Sequence, residues 1–386
     1  MNLLFLSSWF PQPADTGSKL RILNLLKCLS EDHHVTFLAF SRAGEVSQDR
    51  LEALRSHGEI LPPVVLPRPW PLIGTVLPNP RWHSEEMRAR IREATRRRRF
   101  DALLASEVLA GFYGAELPGV PRILDNCELT VLIERCTREP SLIRRLRCRA
   151  EWRSKRNFTA SLVRRYDACA VVSEQERKHL LDLGAEPDRV LVVPNGVDVV
   201  ANAPVWAPAE PCTLVYAGAL TFHANLDAMQ FFVNAILPVI RRTHPRVVLR
   251  ITGEHQGVDL RRLPHGEKVG VRLTGPLSDV RPCVAGSAVC VVPLRVGGGT
   301  RLKILEAMAL GTPVVSTSKG AEGLDVSPGN DILIADSPEQ FAAAVCRLLD
   351  DGRLRQAIAE QARRTVVEQY DWRLCIRPLE RCLDRL

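Results

Sequence analysis

The chain has 386 residues, long enough for two domains with two cores. Its 46% apolar and 25% charged residues are ordinary for a soluble globular protein, and no apolar run reaches the roughly 18 residues of a membrane span. The formal charge is +8, but aromatics make up only 5% and none interleave with the arginines, which argues against a nucleic-acid platform.

Short apolar runs alternate with helix-length amphipathic segments. The opening MNLLFLSSWF lacks a basic n-region and a convincing cleavage site, so it reads as a buried first strand rather than a signal peptide. Leu3–Leu6, Val35–Phe40, Leu103–Ala105, Arg122–Asp125, Ala168–Val172 and Val190–Val193 read as strands. Ser18–Ser30, Glu85–Arg98, Ile143–Arg164 and Glu174–Asp182 read as helices between them. Residues 62–82 hold seven prolines and read as an extended surface excursion.

The pattern restarts after PNGVDVVANAPVWAPAEP, Pro194–Pro211, which carries no period. Strands Thr213–Tyr216, Val247–Ile251, Val289–Pro293, Val314–Ser316 and Ile332–Ile334 alternate with helices Asn225–Arg241, Arg301–Ala309, Pro338–Leu349 and Leu354–Gln369. Two such series imply an α/β chain of two Rossmann-like, doubly wound domains. The boundaries expected are 1–203, 204–370 and a last helix, 371–386.

The eleven cysteines are scattered, odd in number and form no C-x-x-C pair, which favours reduced thiols in a cytosol over disulfides or a zinc site. Residues 141–165 hold nine Lys/Arg against one acid, Glu151, a local +8. A second basic run, Arg96 to Arg99, ends a helix. Such a stretch reads either as a solvated basic face or as an attraction to anionic lipid head groups or a charged substrate.

The chemistry concentrates in GGGTRLKILEAMALGTPVVST, Gly297–Thr317. A strand feeds a glycine loop, and Thr300 falls where an N-cap or first-turn residue would. Free N–H groups and the helix dipole there favour an anion, and Arg301 and Lys303 add full charges. Lys303, Glu306 and Leu310 share one helical face, while Leu302, Leu305 and Ala309 form the core face. Glu306 lies about 5 Å further along the axis than Lys303. Its carboxylate suits the vicinal hydroxyls of a ribose; the pair also reads as an i, i+3 surface ion pair. At the N-terminus, the loop SSWFPQPADTG leads to Gly17 and Ser18. A new helix there offers N–H groups to a phosphate, though Gly17 also reads as a plain turn residue.

The segment Gly297–Leu324 resembles the nucleotide-sugar motif of retaining family-four glycosyltransferases, which have the two-Rossmann GT-B fold. FLSSWFPQPADTGSKLRILNLLKCLS, AVVSEQER, VVPNGVD and LTGPLSDVRPCVAGSAVCVVPL agree with it, so the resemblance spans nearly the whole chain and is weakest between about 41 and 100. It implies that Glu306 binds the nucleotide ribose, that Gly17 and Ser18 meet the diphosphate, and that Gly299 and Thr300 belong to the nucleotide loop. It implies a retaining transfer without a protein nucleophile and without a metal, from a nucleotide diphosphate sugar to a hydroxyl acceptor. That acceptor is a glycan, a lipid-linked intermediate or a small molecule, met in the cytoplasm or at the inner face of the membrane. No cofactor is implied.

Two departures matter. Gly298 stands where the family often has the first of two glutamates. The segment AGALTFHANLDAM, Ala217–Met229, lacks the Arg and Lys that many relatives place there. Arg301 and Lys303 are therefore the candidates to stabilise the leaving diphosphate. His223 is a candidate for a donor phosphate, although a lone histidine also reads as a structural residue. Glu107, Asp125, Asn126 and Glu128, at strand ends of the first domain, are candidates for the acceptor; each also reads as a cap or a solvated turn residue. A GT-B epimerase or phosphorylase, or an inactive partner subunit, shares the fold. No Asp-x-Asp or other metal-holding pattern occurs.

Overall fold

In β1 (Asn2–Ser7), Leu3 and Phe5 face one side of the pleat and Leu4 and Leu6 the other, and all four are buried. A strand buried on both faces needs helices above and below its sheet, as a parallel βα series supplies. The structure, a computed structural model, describes residues 1–66, 83–126, 129, 133, 141–204, 209–297 and 301–386. Most of the proline-rich excursion, Glu128, Gly299 and Thr300 therefore lie outside the described residues.

The chain forms two compact units, Met1–Asn195 with Trp372–Leu386, and Gly196–Asp371. The division falls earlier than residue 203. The Val197 N–H bonds the Tyr370 carbonyl at 2.8 Å, and Arg363 donates to the carbonyls of Val199 and Asn202 at 2.8 and 3.2 Å. These bonds tie the connecting segment to the second unit.

The first unit runs β1, α1 (Gly17–Asp32), β2 (His34–Ser41), α2 (Gln48–Glu52), β3 (Glu59–Ile60), β4 (Val64–Val65) and α3 (Glu85–Arg97). It continues with β5 (Ala102–Ser106), α4 (Glu107–Gly114), β6 (Arg122–Asp125), α5 (Leu142–Val163), β7 (Ala168–Val171), α6 (Glu174–Asp182) and β8 (Val190–Val192). The sheet order is β3-β2-β1-β5-β6-β7-β8, with β4 beside β2. Leu3, Phe5, Phe37 and Ile123 pack with α1 residues Ile22 and Leu25 on one face, joined by Trp372, Ile376 and Leu379 of the terminal segment. Leu4, Leu6, Phe40 and Leu103 pack with Met87, Ile91, Tyr113 and Leu162 on the other.

The second unit runs β9 (Glu210–Ala217), α7 (His223–Phe231), α8 (Leu237–Thr243), β10 (Val248–Thr252), β11 (Val271–Gly275), α9 (Arg281–Ala285) and β12 (Ser287–Val292). Then follow α10 (Leu302–Ala309), β13 (Val314–Ser316), β14 (Leu333–Ile334), α11 (Pro338–Asp350) and α12 (Gly352–Gln369). Its parallel order, β11-β10-β9-β12-β13-β14, is the doubly wound order in which the winding reverses once. The reversal lies between β9 and β12, as it does between β1 and β5 in the first unit. Such reversals leave a crevice beyond the carboxyl ends of the two strands.

The expected single helix Asn225–Arg241 is interrupted by a π-helical turn at Phe232–Ile236. Pro238 follows at the start of α8. A proline ring lacks the N–H and crowds the carbonyl four residues back, and a widened turn relieves both. The short strands β3 and β4, the strand β11 and the helix α4 were not expected. The residues of β11, VRLTG, are too mixed in polarity for an apolar run to show.

Candidate functional site

In the second unit the reversal point is built by two loops, one after β9 and one after β12. The helix α10 that ends the second loop is buried nearly all round, through Ile304, Leu305, Ala307, Met308 and Ala309. Leu310, expected on the polar face, is buried too. Lys303 and Glu306 are half-buried and rise from this otherwise apolar helix. The rest of the helix is apolar and buried, so the two charges sit on a narrow, partly covered side rather than on a broad solvated face.

The two charges do not pair. Lys303 Nζ turns to the neighbouring loop, donating to Tyr216 Oη at 2.7 Å and to Asn225 Oδ1 at 3.0 Å, and it lies 4.0 Å from the centre of the Tyr216 ring. Tyr216 Oη donates in turn to Asn225 Oδ1 at 2.6 Å, and Asn225 Nδ2 donates to the Ala219 carbonyl at 2.8 Å. This cluster ties α10 to the loop after β9. Gly218 lies close against this cluster: a Cβ there would stand 2.7 Å from Lys303 Nζ and 2.9 Å from Asn225 Nδ2, so a larger residue displaces the lysine. Gly253, with φ +102°, brings the end of β10 against the same loop; a Cβ would stand 2.7 Å from the Ala219 nitrogen.

Among the described residues no donor bonds the Glu306 carboxylate. Burial lifts its pKa to about 7, against the pull of Lys303. Burial likewise pushes Lys303 down to about 7, and the Arg301 charge adds to the shift. Burial also raises Tyr216 well above the usual phenol range, so its hydroxyl stays protonated at neutral pH. One carboxylate open to a donor and one ammonium held in place beside it suit an anion carrying hydroxyls.

Arg301 is buried, and its guanidinium donates to the Gly297 carbonyl and, at 3.3 Å, to the Lys319 carbonyl. It clamps the ends of two loops, and its charge reaches Lys303 and Tyr216 through space. At the head of α10 the N–H groups of Ile304 and Leu305 donate to the Arg301 carbonyl at 2.8 and 3.4 Å, and those of Leu302 and Lys303 precede the first acceptor of the helix. His223 opens α7 and is exposed, stacked edge-on against exposed Phe222 with ring centres 4.8 Å apart.

In the first unit Thr16 caps α1, its hydroxyl accepting from the Lys19 N–H at 3.4 Å. Gly17 is exposed and Ser18 half-buried, and their N–H groups head the helix with no intrahelical acceptor. Of the strand-end carboxylates, Asp125 is wholly buried. Arg21 Nη2 lies 2.5 Å from its Oδ1, Arg21 Nε donates to both of its oxygens, and Ser106 Oγ donates to Oδ2 at 3.1 Å. Arg21 also donates to the Val193 carbonyl at 2.9 Å and to Asn195 Oδ1 at 2.8 Å. This group stitches β6, α1 and the end of β8 together as a buried ion pair, which leaves Asp125 no exposed oxygen for an acceptor.

Glu107 and Asn126 follow the paired residues Ser106 and Asp125 of neighbouring strands, and both have left-handed backbones, φ +69° and +58°. Asn adopts this conformation readily, but for Glu it is strained by roughly 1 kcal/mol, the kind of local cost found at functional sites. The Glu107 carboxylate accepts from Trp9 Nε1 at 2.7 Å. Tyr216, Asn225, Gly218 and Trp9 escaped the sequence reading. The one local signal was a tyrosine at the end of a predicted strand.

Two family models match, a "Glycosyl transferase 4-like domain" over residues 16–196 and "Glycosyl transferases group 1" over residues 211–351. The glycogen synthase of Mycobacterium tuberculosis is 30% identical over 226 residues, 55% of this chain and 52% of that protein. The D-inositol 3-phosphate glycosyltransferase of Kineococcus radiotolerans is 29% identical over 241 residues, 53% of this chain and 54% of that protein. The chain thus spans about half the length of the curated relatives it matches. Anabaena HepE, solved in complex with UDP and glucose, superposes over the whole of both chains with a TM-score of 0.71 at 16% identity.

Proposed function

We propose that this chain, which belongs to the group 1 glycosyltransferases and has the GT-B fold, moves a sugar from a nucleotide diphosphate donor to an acceptor hydroxyl with retention and without a metal ion. The observation that carries the reading is the open Glu306 carboxylate beside the held Lys303 ammonium on a buried helix at the strand-order reversal. In this reading Glu306 accepts the two ribose hydroxyls and Lys303 meets the diphosphate. Arg301 holds the loop in shape and adds its field. As the bond from sugar to phosphate breaks, the acceptor oxygen bonds the sugar carbon and its proton passes to the leaving phosphate oxygen, while Lys303 and the α10 N-terminus lower the energy of the negative charge growing there.

Gly17 and Ser18, at the head of α1, are further donor contacts, as is His223. The residues Gly299 and Thr300 complete the donor loop. Glu107 and Asn126 are the remaining acceptor candidates in the first unit, with Glu128 beside them in sequence. The acceptor is a glycan, a lipid-linked intermediate or a small molecule. The enzyme works in the cytoplasm with peripheral contact to the membrane; among the described residues no helix is long and apolar enough to cross one.

UDP and its sugars are the first donors to try, because HepE was solved with UDP and glucose. Release of free nucleoside diphosphate is expected to require both a nucleotide sugar and an acceptor, with an α-linked product from an α-linked donor. Conversion of the donor with no acceptor present points instead to an epimerase.

A further inference from the structure

The helix α5 has two unlike faces. One buries Cys148, Thr159, Leu162 and Val163 and packs Trp152 and Phe158 against the first unit's core. The other carries Ile143 and Leu146, which are 81% and 65% exposed, far more than large apolar side chains usually are. They stand at i and i+3, and exposed Ala150 follows at i+7, so the three form one outward strip.

Exposed arginines flank the strip, Arg144 and Arg147 on one side and Arg149, Arg153 and Arg156 on the other. The acid Glu151 lies 3.8 Å from Arg147. Arg144, Arg149, Arg153 and Arg156 form no ion pair among the described residues. Among the described residues, then, no acid neutralises these four charges.

An occupant of this face must cover an apolar strip and supply anions on both sides of it. Nucleic acid offers the anions but leaves the strip in water, and the outward face has no aromatic side chain for a base to stack on. An anionic lipid surface offers both, with phosphates at the level of the guanidinium groups and acyl chains just beneath. We propose that the outward face of α5 docks in the plane of an anionic phospholipid interface. Two large apolar side chains give little anchorage, so the attraction is mainly electrostatic, reversible and sensitive to salt. The proposal gives a place to the peripheral contact named above, but it does not rest on the transfer chemistry, because lipid binding is read with no donor or acceptor present.

The test is co-sedimentation of the full chain with vesicles of phosphatidylcholine alone or with about a third phosphatidylglycerol. Binding is expected only to the anionic vesicles, with release as salt rises to about 0.5 M. A variant combining Arg144→Gln, Arg149→Gln, Arg153→Gln and Arg156→Gln is expected to lose on the order of a hundredfold or more in partition, since each basic residue near such a surface contributes about fivefold. A Leu146→Trp probe is expected to shift its emission to the blue with anionic vesicles only. Equal sedimentation with both vesicle types, or equal binding by wild type and the four-arginine variant, overturns the proposal. So does self-association that disappears in Ile143→Ser/Leu146→Ser without any vesicle binding, since a second copy then covers the face.

Discussion

Lys303 Nζ stands 2.7 Å from the Tyr216 hydroxyl although the two residues are 87 positions apart. The tyrosine leaves the end of β9 and the lysine leaves the first turn of α10. The contact therefore places a cation against the very loop that lacks one of its own. Tyr216→Phe keeps the ring under Lys303 but removes the oxygen that fixes the ammonium. Turnover is expected to fall about 3- to 10-fold, the scale of one hydrogen bond, with a smaller change in nucleotide affinity. Lys303→Met is expected to lower turnover by about a hundredfold or more, as the loss of a preorganised charge does. Steady-state rates and calorimetry on the two variants separate these effects; wild-type turnover in Lys303→Met removes the lysine from the reaction.

Burial raises Glu306 to about 7 from its ordinary value, and this fixes the sign of a stability test. Between the ordinary carboxyl pKa and about 7, the native state holds a proton that the unfolded state has lost, so stability falls as pH rises through that window. Glu306→Gln removes the effect. Its melting temperature is expected to exceed that of wild type clearly at pH 8 and little at pH 5. A gain at pH 5 equal to that at pH 8 shows that Glu306 does not titrate in this way.

The buried pair of Arg21 and Asp125 yields a different expectation. Arg21→Met leaves an uncompensated carboxylate at the centre of the first unit and is expected to cost about 3–5 kcal/mol of stability. Asp125→Asn is expected to act through stability too, with the acceptor KM unchanged in whatever fraction folds. Denaturant unfolding and acceptor kinetics check this together. A raised acceptor KM in a stable Asp125→Asn variant returns Asp125 to the site.

Full activity in excess chelator is expected, because Lys303, Arg301 and the α10 N-terminus supply charge where a divalent ion otherwise would. Lost activity that added magnesium or manganese restores contradicts that part of the reading.

Much of the architecture was legible because it rests on local signals. Short, β-branched or apolar runs such as Leu3–Leu6 and Val289–Val292, bounded by loop signals, fit strands buried on both faces, and their alternation with helices points to parallel sheets. Glu306 and Lys303 were legible because three residues of separation put them on one side of a helix. What stayed hidden depends on distant partners. Asp125 looked like an acceptor contact because no local pattern reveals that Arg21, 104 residues away, faces it. Tyr216 and Asn225 look like ordinary strand and helix residues until β9 and β12 pair. Pro238 was plain in the sequence, but the turn that accommodates it depends on packing around Phe232 and Ile236.

The central claim is that the open carboxylate of Glu306 holds the nucleotide of the donor. The most direct test is calorimetric titration of wild type and Glu306→Ala with nucleoside diphosphates, UDP first, beside melting curves that verify the fold. The variant is expected to keep its fold and bind about 10- to 150-fold more weakly, the equivalent of about 1.5–3 kcal/mol for charge-assisted hydrogen bonds. Wild-type affinity in a folded Glu306→Ala variant contradicts the assignment.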